Sequence, residues 1–218
     1  MALHFSRDTK LFAVQRNTAD DGDNVWELPV LDGFSFSQAT NASEISLNEM
    51  SNSSNGSRRA RQMFNDSYAP AEWSFSTYMR PFISAGSGVG AADDAGEHHA
   101  VEEVLWAMMV GDASYSSFDF TGFTRDTSDL DINFASSNKT TLGTADIFFV
   151  MGGATSGTKT TYKITDCVVN EASIDFDIDG IATINWSGFG SIITEDTAPT
   201  ATITEGTAAT VTNNFIRN

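Results

Sequence analysis

Residues 71–80 read AEWSFSTYMR, and their alternation decides the fold. Trp73, Phe75, Thr77 and Met79 fall on one side of an extended chain, and Glu72, Ser74, Ser76, Tyr78 and Arg80 on the other. Successive side chains of a strand point to opposite faces, so this period of two predicts a strand with one buried and one polar face. Pro81 has no backbone N–H to offer a ladder and ends it.

Further strands appear on both sides of this segment. Downstream, residues 145–151 (ADIFFVM) form an apolar run of strand length, residues 160–169 a second strand, 172–179 a third and 181–186 a fourth. In the third, Ile174, Phe176 and Ile178 are expected to point to one face and Asp175, Asp177 and Asp179 to the other, which would set a row of carboxylates on one surface. Upstream, residues 11–15 and 24–30 read as a hairpin joined by Asp20-Asp21-Gly22-Asp23, and residues 33–37 and 44–49 alternate apolar and polar positions as half-buried strands do. One helix interrupts the pattern over residues 97–110, where Val101, Val104, Leu105 and Met108 recur at helical spacing. Asp93 or Asp94 offers a cap and Gly111 a stop, and the apolar stripe predicts packing on one face of the sheet. The fold class is therefore mainly β with one flanking helix.

The bulk composition agrees with this reading and narrows the functions available. Only 4 of the 218 residues are Pro, and 16 Phe and 4 Trp are scattered singly, which suits many short strands. With 12 Lys and Arg against 29 Asp and Glu the formal charge is −17, so the surface as a whole should repel phosphate, and a conventional nucleic-acid binder is disfavoured. The single Cys167 can form no intrachain disulfide, and the first residues show neither a basic n-region nor an apolar h-region, so folding in a reducing cytoplasm is expected. No apolar stretch has membrane-spanning length, the longest being interrupted by Glu102 and Glu103.

Residues 51–66 lose all periodicity, running through Ser, Asn and Gly into Arg58-Arg59-Ala60-Arg61 and then Met63 and Phe64. They are expected to form a long loop, and arginine beside exposed apolar residues marks it as an interaction surface.

Motifs that suggest chemistry fail on inspection. Asp175, Asp177, Asp179 and Gly180 imitate the opening of a calcium loop, but Trp186 stands where a bidentate Glu must close it. His98, His99, Glu102 and Glu103 form two i,i+4 pairs on the expected helix, with no further ligand nearby in sequence, and read as a solvated helix start. Gly86, Gly88 and Gly90 precede a helix as phosphate-binding glycines do, yet Asp93, Asp94 and Glu97 would put negative charge where phosphate must sit. Cys167 lies in an apolar strand as a small core residue would. No catalytic constellation, metal site or cofactor site is expected, and the chain is read as a non-enzyme.

Residues 43–49 (SEISLNE), 64–67 (FNDS), 71–78 (AEWSFSTY) and 184–188 (INWSG) together resemble the major tail tube proteins of long, non-contractile-tailed, siphovirus-type bacteriophages, over most of residues 1–190. The resemblance implies a tail-tube-type β-sandwich or half-barrel over 1–190. Its inner sheet would join those of its neighbours into a barrel around a lumen, with rings stacking through long loops. It implies a virion structural protein assembled in the host cytoplasm, with itself, the tape measure protein, tail terminator and tip proteins as partners. DNA would pass the lumen without specific binding. A ring of six tube domains would come from six copies, or from three copies of a duplicated subunit. On this reading Asp175, Asp177 and Asp179 are candidates for the lumen face, and Arg58, Arg59, Arg61, Met63 and Phe64 for the contact between rings. A tail-tip or receptor-binding sandwich and a secretion-system tube ring are the alternatives. Residues 191–218 form a Thr- and Ala-rich extension whose ending, Phe215-Ile216-Arg217-Asn218, resembles the entry to a further strand, so the chain is expected to be the first half of a longer subunit.

Overall fold

The structure is a computed structural model and describes residues 9–15, 25–47, 60–83, 98–110, 123–125, 130–132, 143–152, 159–176 and 180–200. It is mainly β, with strands β1 (Lys10–Gln15), β2 (Val25–Leu28), β3 (Ser35–Ser37), β4 (Thr40–Leu47), β5 (Ala60–Tyr68), β6 (Ala71–Tyr78), β7 (Pro81–Ile83) and β8 (His98–Ala100). A short helix α1 (Glu103–Val110) follows, then β9 (Phe123–Arg125), β10 (Leu130–Ile132), β11 (Ala145–Gly152), β12 (Lys159–Asp175), β13 (Thr183–Gly190) and β14 (Ile193–Glu195).

Eight strands hydrogen-bond in the order β2-β1-β11-β12-β13-β6-β3, with β14 added on β12, and every pairing is antiparallel. The organising element is the 17-residue β12. Its first part, up to Cys167, pairs with β11, and its second, from Val168 to Asp175, pairs with β13. The change of partner coincides with two irregularities: Asp166 has φ of 52°, and the register with β13 shifts between Val169 and Glu171. An extra residue in one strand bends it and sharpens its twist. Asp166 is held in its left-handed conformation by donating its backbone N–H to Asp146 Oδ1 at 3.0 Å. β12 thereby turns a corner and serves two half-sheets.

The half-sheets face each other across a common core. Leu11, Trp26, Leu28, Ile147, Phe149 and Ile164 come from the β11 side, and Trp73, Phe75, Ile184 and Trp186 from the β13 side; all are almost fully buried in one cluster. Phe36 on β3 closes the far edge, its ring 4.5 Å from Phe149 and 5.5 Å from Tyr162. α1 contributes Val104, Leu105, Ala107 and Met108, and its Trp106 meets Trp186 edge-on at 4.9 Å. This is the sandwich architecture expected, with the helix packed on its core.

Four local expectations are corrected. The helix begins at Glu103: His98–Ala100 instead pairs as β8 with β7, so the histidines share no helix with Glu102 and Glu103. Those two glutamates are buried, at 2% and 0% exposure, rather than solvated. Residues 60–66, expected in a loop, belong to β5, which pairs with β4 as a separate two-stranded arm. Residues 160–169 and 172–175 are one strand, and at its end Ile174 and Phe176 are 38% and 59% exposed.

Candidate functional site

The feature that the fold presents most deliberately is the outer face of the half-sheet formed by β3, β6, β13 and the second part of β12. Alternation on β6 buries Trp73, Phe75 and Thr77 and turns out Glu72, Ser74, Ser76 and Tyr78. The register then fixes the neighbours. Ser187 lies opposite Ser74, Asn185 opposite Ser76, and Thr183 opposite Tyr78, while Ser35 and Ser37 flank Ser74 and Glu72. On β12, Glu171, Ser173 and Asp175 pair with Ser187, Asn185 and Thr183. The outward surface is a field of hydroxyls, amides and carboxylates.

Hydrogen bonds tie these side chains across the strands. Ser76 Oγ donates to Asn185 Oδ1 at 2.6 Å, Asn185 Nδ2 donates to Asp175 Oδ2 at 2.6 Å, and Ser35 and Ser74 share a hydroxyl bond of 2.8 Å. The charged members within these paired strands are Glu72, Glu171 and Asp175, with no lysine or arginine among them. Near one end the face sinks into an open depression of about 320 Å³, lined by Glu72, Ser74, Asn170, Ser187 and Phe189 among others. Close approach of the backbones there depends on Gly188: a Cβ would collide with the Val168 carbonyl and the Trp73 ring. Among the described residues nothing on the face pairs a nucleophile with a base, and no three His, Cys, Asp or Glu converge as a metal site.

Of the residues singled out from sequence, Asp175 lies on this face, while Asp177 and Asp179 fall outside the described residues. Trp186, at the closing position of the calcium-loop imitation, is buried in the core and donates its indole N–H to Thr77 Oγ1 at 3.0 Å. Arg61, Met63 and Phe64 are on β5, in the arm rather than in a loop, and Arg58 and Arg59 lie outside the described residues. The arm is anchored beside the acidic face by Gln38: its Nε2 donates to the Ala69 and Ser191 carbonyls, and its Oε1 accepts from the Ile193 N–H. Cys167 is buried and its thiol is pushed well above the ordinary range, mainly by loss of water, so it is inert. Glu72 and Glu171 were not picked out as site residues. The alternation around Trp73 could have shown Glu72, whereas Glu171 changes face at a bulge that has no clear sequence sign.

A further property concerns the margin of the face. Beyond Cys167, no described strand pairs with the β11-side edge of β12, so among the described residues Val168–Asp175 has one unpaired edge. The exposed Ile174 and Phe176 lie at its end. Unpaired edges with apolar residues invite another strand.

No protein-family model matches the chain. The tail tube protein pb6 of Escherichia phage T5 is 28% identical over 224 aligned positions, which take in all of this chain and 44% of the relative. The chain thus spans less than half the length of the curated relative that it matches.

Proposed function

We propose that the chain is a non-enzymatic structural unit of a phage tail tube, polymerising as stacked rings around a conduit for DNA. The observation that carries this reading is the polar sheet face holding Glu72, Glu171 and Asp175 with no basic residue in its paired strands, in a chain akin to a tail tube protein. A conduit must not grip its cargo, since each basic contact to phosphate adds affinity through counterion release and would slow passage. This face is the lumen wall, and Asp175, together with Asp177 and Asp179, extends its negative charge.

The unpaired edge of β12 supports sideways joining of this half-sheet to a neighbour's, so that six tube domains close a ring, as six copies or as three copies of a duplicated subunit. The β4–β5 arm, with Arg58, Arg59, Arg61, Met63 and Phe64 on or beside it, makes the contact between rings. In this role the partners are the chain itself, the tape measure protein within the lumen, and the terminator and tip proteins at the ends. The protein assembles in the host cytoplasm and resides in the virion tail.

Negative-stain electron microscopy of concentrated, purified protein tests the reading. Hollow stacked rings are the expected result and give the ring symmetry directly. Persistent monomers at all concentrations would overturn self-assembly of this chain, and a reconstruction with Asp175 on the outer wall would overturn the lumen assignment.

A further inference from the structure

Where β8 turns into α1, two consecutive carboxyl groups enter the core. Glu102 is 2% exposed and Glu103 0%. Glu102 Oε2 has no hydrogen-bond partner. Their chain neighbours Val101, Val104, Leu105 and Trp106 all belong to the main core. A carboxylate in such a place loses its hydration without full replacement, which favours the protonated form.

The position matters as much as the burial. The Arg80 carbonyl accepts from the Val101 N–H at 3.4 Å, and the Glu102 carbonyl accepts from the N–H groups of Leu105 and Trp106 at 2.9 and 3.4 Å. Glu102 therefore stands at the joint between the β7–β8 hairpin, the end of β6 and the first turn of α1. Burial lifts its carboxyl from the ordinary range to about 7, with Glu103 adding to the rise; hydrogen bonds from its own backbone and Trp106, and the Arg80 charge, work against it. α1 also packs on β12, whose buried positions Ile164, Cys167 and Val169 are uncharged, and through Trp106 on Trp186 of β13, a strand without a charged residue, and it approaches β9.

We propose that this joint is a proton-held latch: a neutral Glu102 carboxyl fastens α1 and the β7–β8 hairpin to the core, and its ionisation loosens them. The latch is a property of the single domain and stands whether or not the chain forms tubes. The sign follows from linkage. A group that holds its proton more tightly when closed than when open stabilises the closed state fully below its open-state pKa, and this stabilisation is lost as pH rises to the closed-state value. The window is therefore from about 4.5 to about 7.

Amide hydrogen exchange of the full chain, corrected for intrinsic rates, reads the latch directly. Protection of the α1 amides should fall by roughly tenfold per pH unit between pH 5 and 7 and then level off. In Glu102→Gln, which cannot ionise, that slope should vanish. Flat protection in the unaltered protein, or an unchanged slope in the variant, would overturn the proposal. Should the variant not fold, ¹³C titration of the carboxyl groups in the unaltered protein decides: a glutamate midpoint near 7 supports the latch, and midpoints all within the ordinary carboxylate range defeat it.

Discussion

Asn185 donates its side-chain amide to Asp175 across 2.6 Å, reaching diagonally from β13 to β12 rather than to Ser173 directly opposite. The same amide accepts from Ser76 on β6 through its oxygen, so one asparagine orders three strands on the polar face. A carboxylate in such a chain is both a charge on a wall and a fixed point in it.

Replacing Asp175 with Ala should therefore cost about 1 kcal/mol of folding stability, as expected for a charge-assisted hydrogen bond at an exposed site. A double-mutant cycle of Asp175→Ala with Asn185→Ala, read by urea unfolding, should give a coupling of roughly 0.5–1 kcal/mol. Independent, additive losses would show that the contact does not order the face.

Gly188 and Gly190 look equivalent in sequence but should respond differently to Ala. At Gly188 the added Cβ meets the Val168 carbonyl and the Trp73 ring, and a paired backbone carbonyl cannot move aside. At Gly190 the nearest atom is Cγ2 of the fully buried Ile164, and the nearest backbone atom, the Thr165 carbonyl, stays 3.1 Å away. Overpacking costs about 1–3 kcal/mol, so Gly188→Ala should reach or exceed the top of that range, and Gly190→Ala, which meets no backbone atom as closely, should cost less. The urea midpoints of the two variants, at unchanged slope, give the comparison.

Trp186→Phe shrinks the edge-on contact with Trp106 and removes the indole donor to Thr77, a residue only 3% exposed. The loss should be about 2 kcal/mol, part of it the desolvated Thr77 oxygen left without its donor. Adding Thr77→Val to that variant should recover stability, because removing both polar partners costs less than orphaning one. Thermal unfolding of the three proteins checks the order.

Much of this architecture was legible where local pattern and tertiary burial agree. The alternation around Trp73 and the hairpin joining β1 to β2 are set by side-chain period and turn chemistry, which any neighbour would reinforce. The errors fall where a distant partner decides. Residues 60–66 carry no alternation, yet β4 supplies them with a ladder. His98–Ala100 sits at a helix-like period but pairs with β7, and nothing local tells Glu102 and Glu103 that the core will close over them. Ile174 and Phe176 have the spacing of core residues, yet they are exposed, and local spacing does not tell what will cover a face. At the candidate site the polar side of β6 could be read directly, and so could Asp175. Joining both to Glu171 needed the register across the bulge of β12.

The corner in β12 also sets how the domain bears a load. Strands held only by neighbouring hydrogen bonds can be peeled away one ladder at a time, but the two half-sheets share a single covalent backbone through Asp166 and Val169. Tension that would separate them must first stretch that backbone. Under strain the short margins at β3 and β14 should detach while the two halves remain joined, so the domain yields at its borders before it splits in the middle.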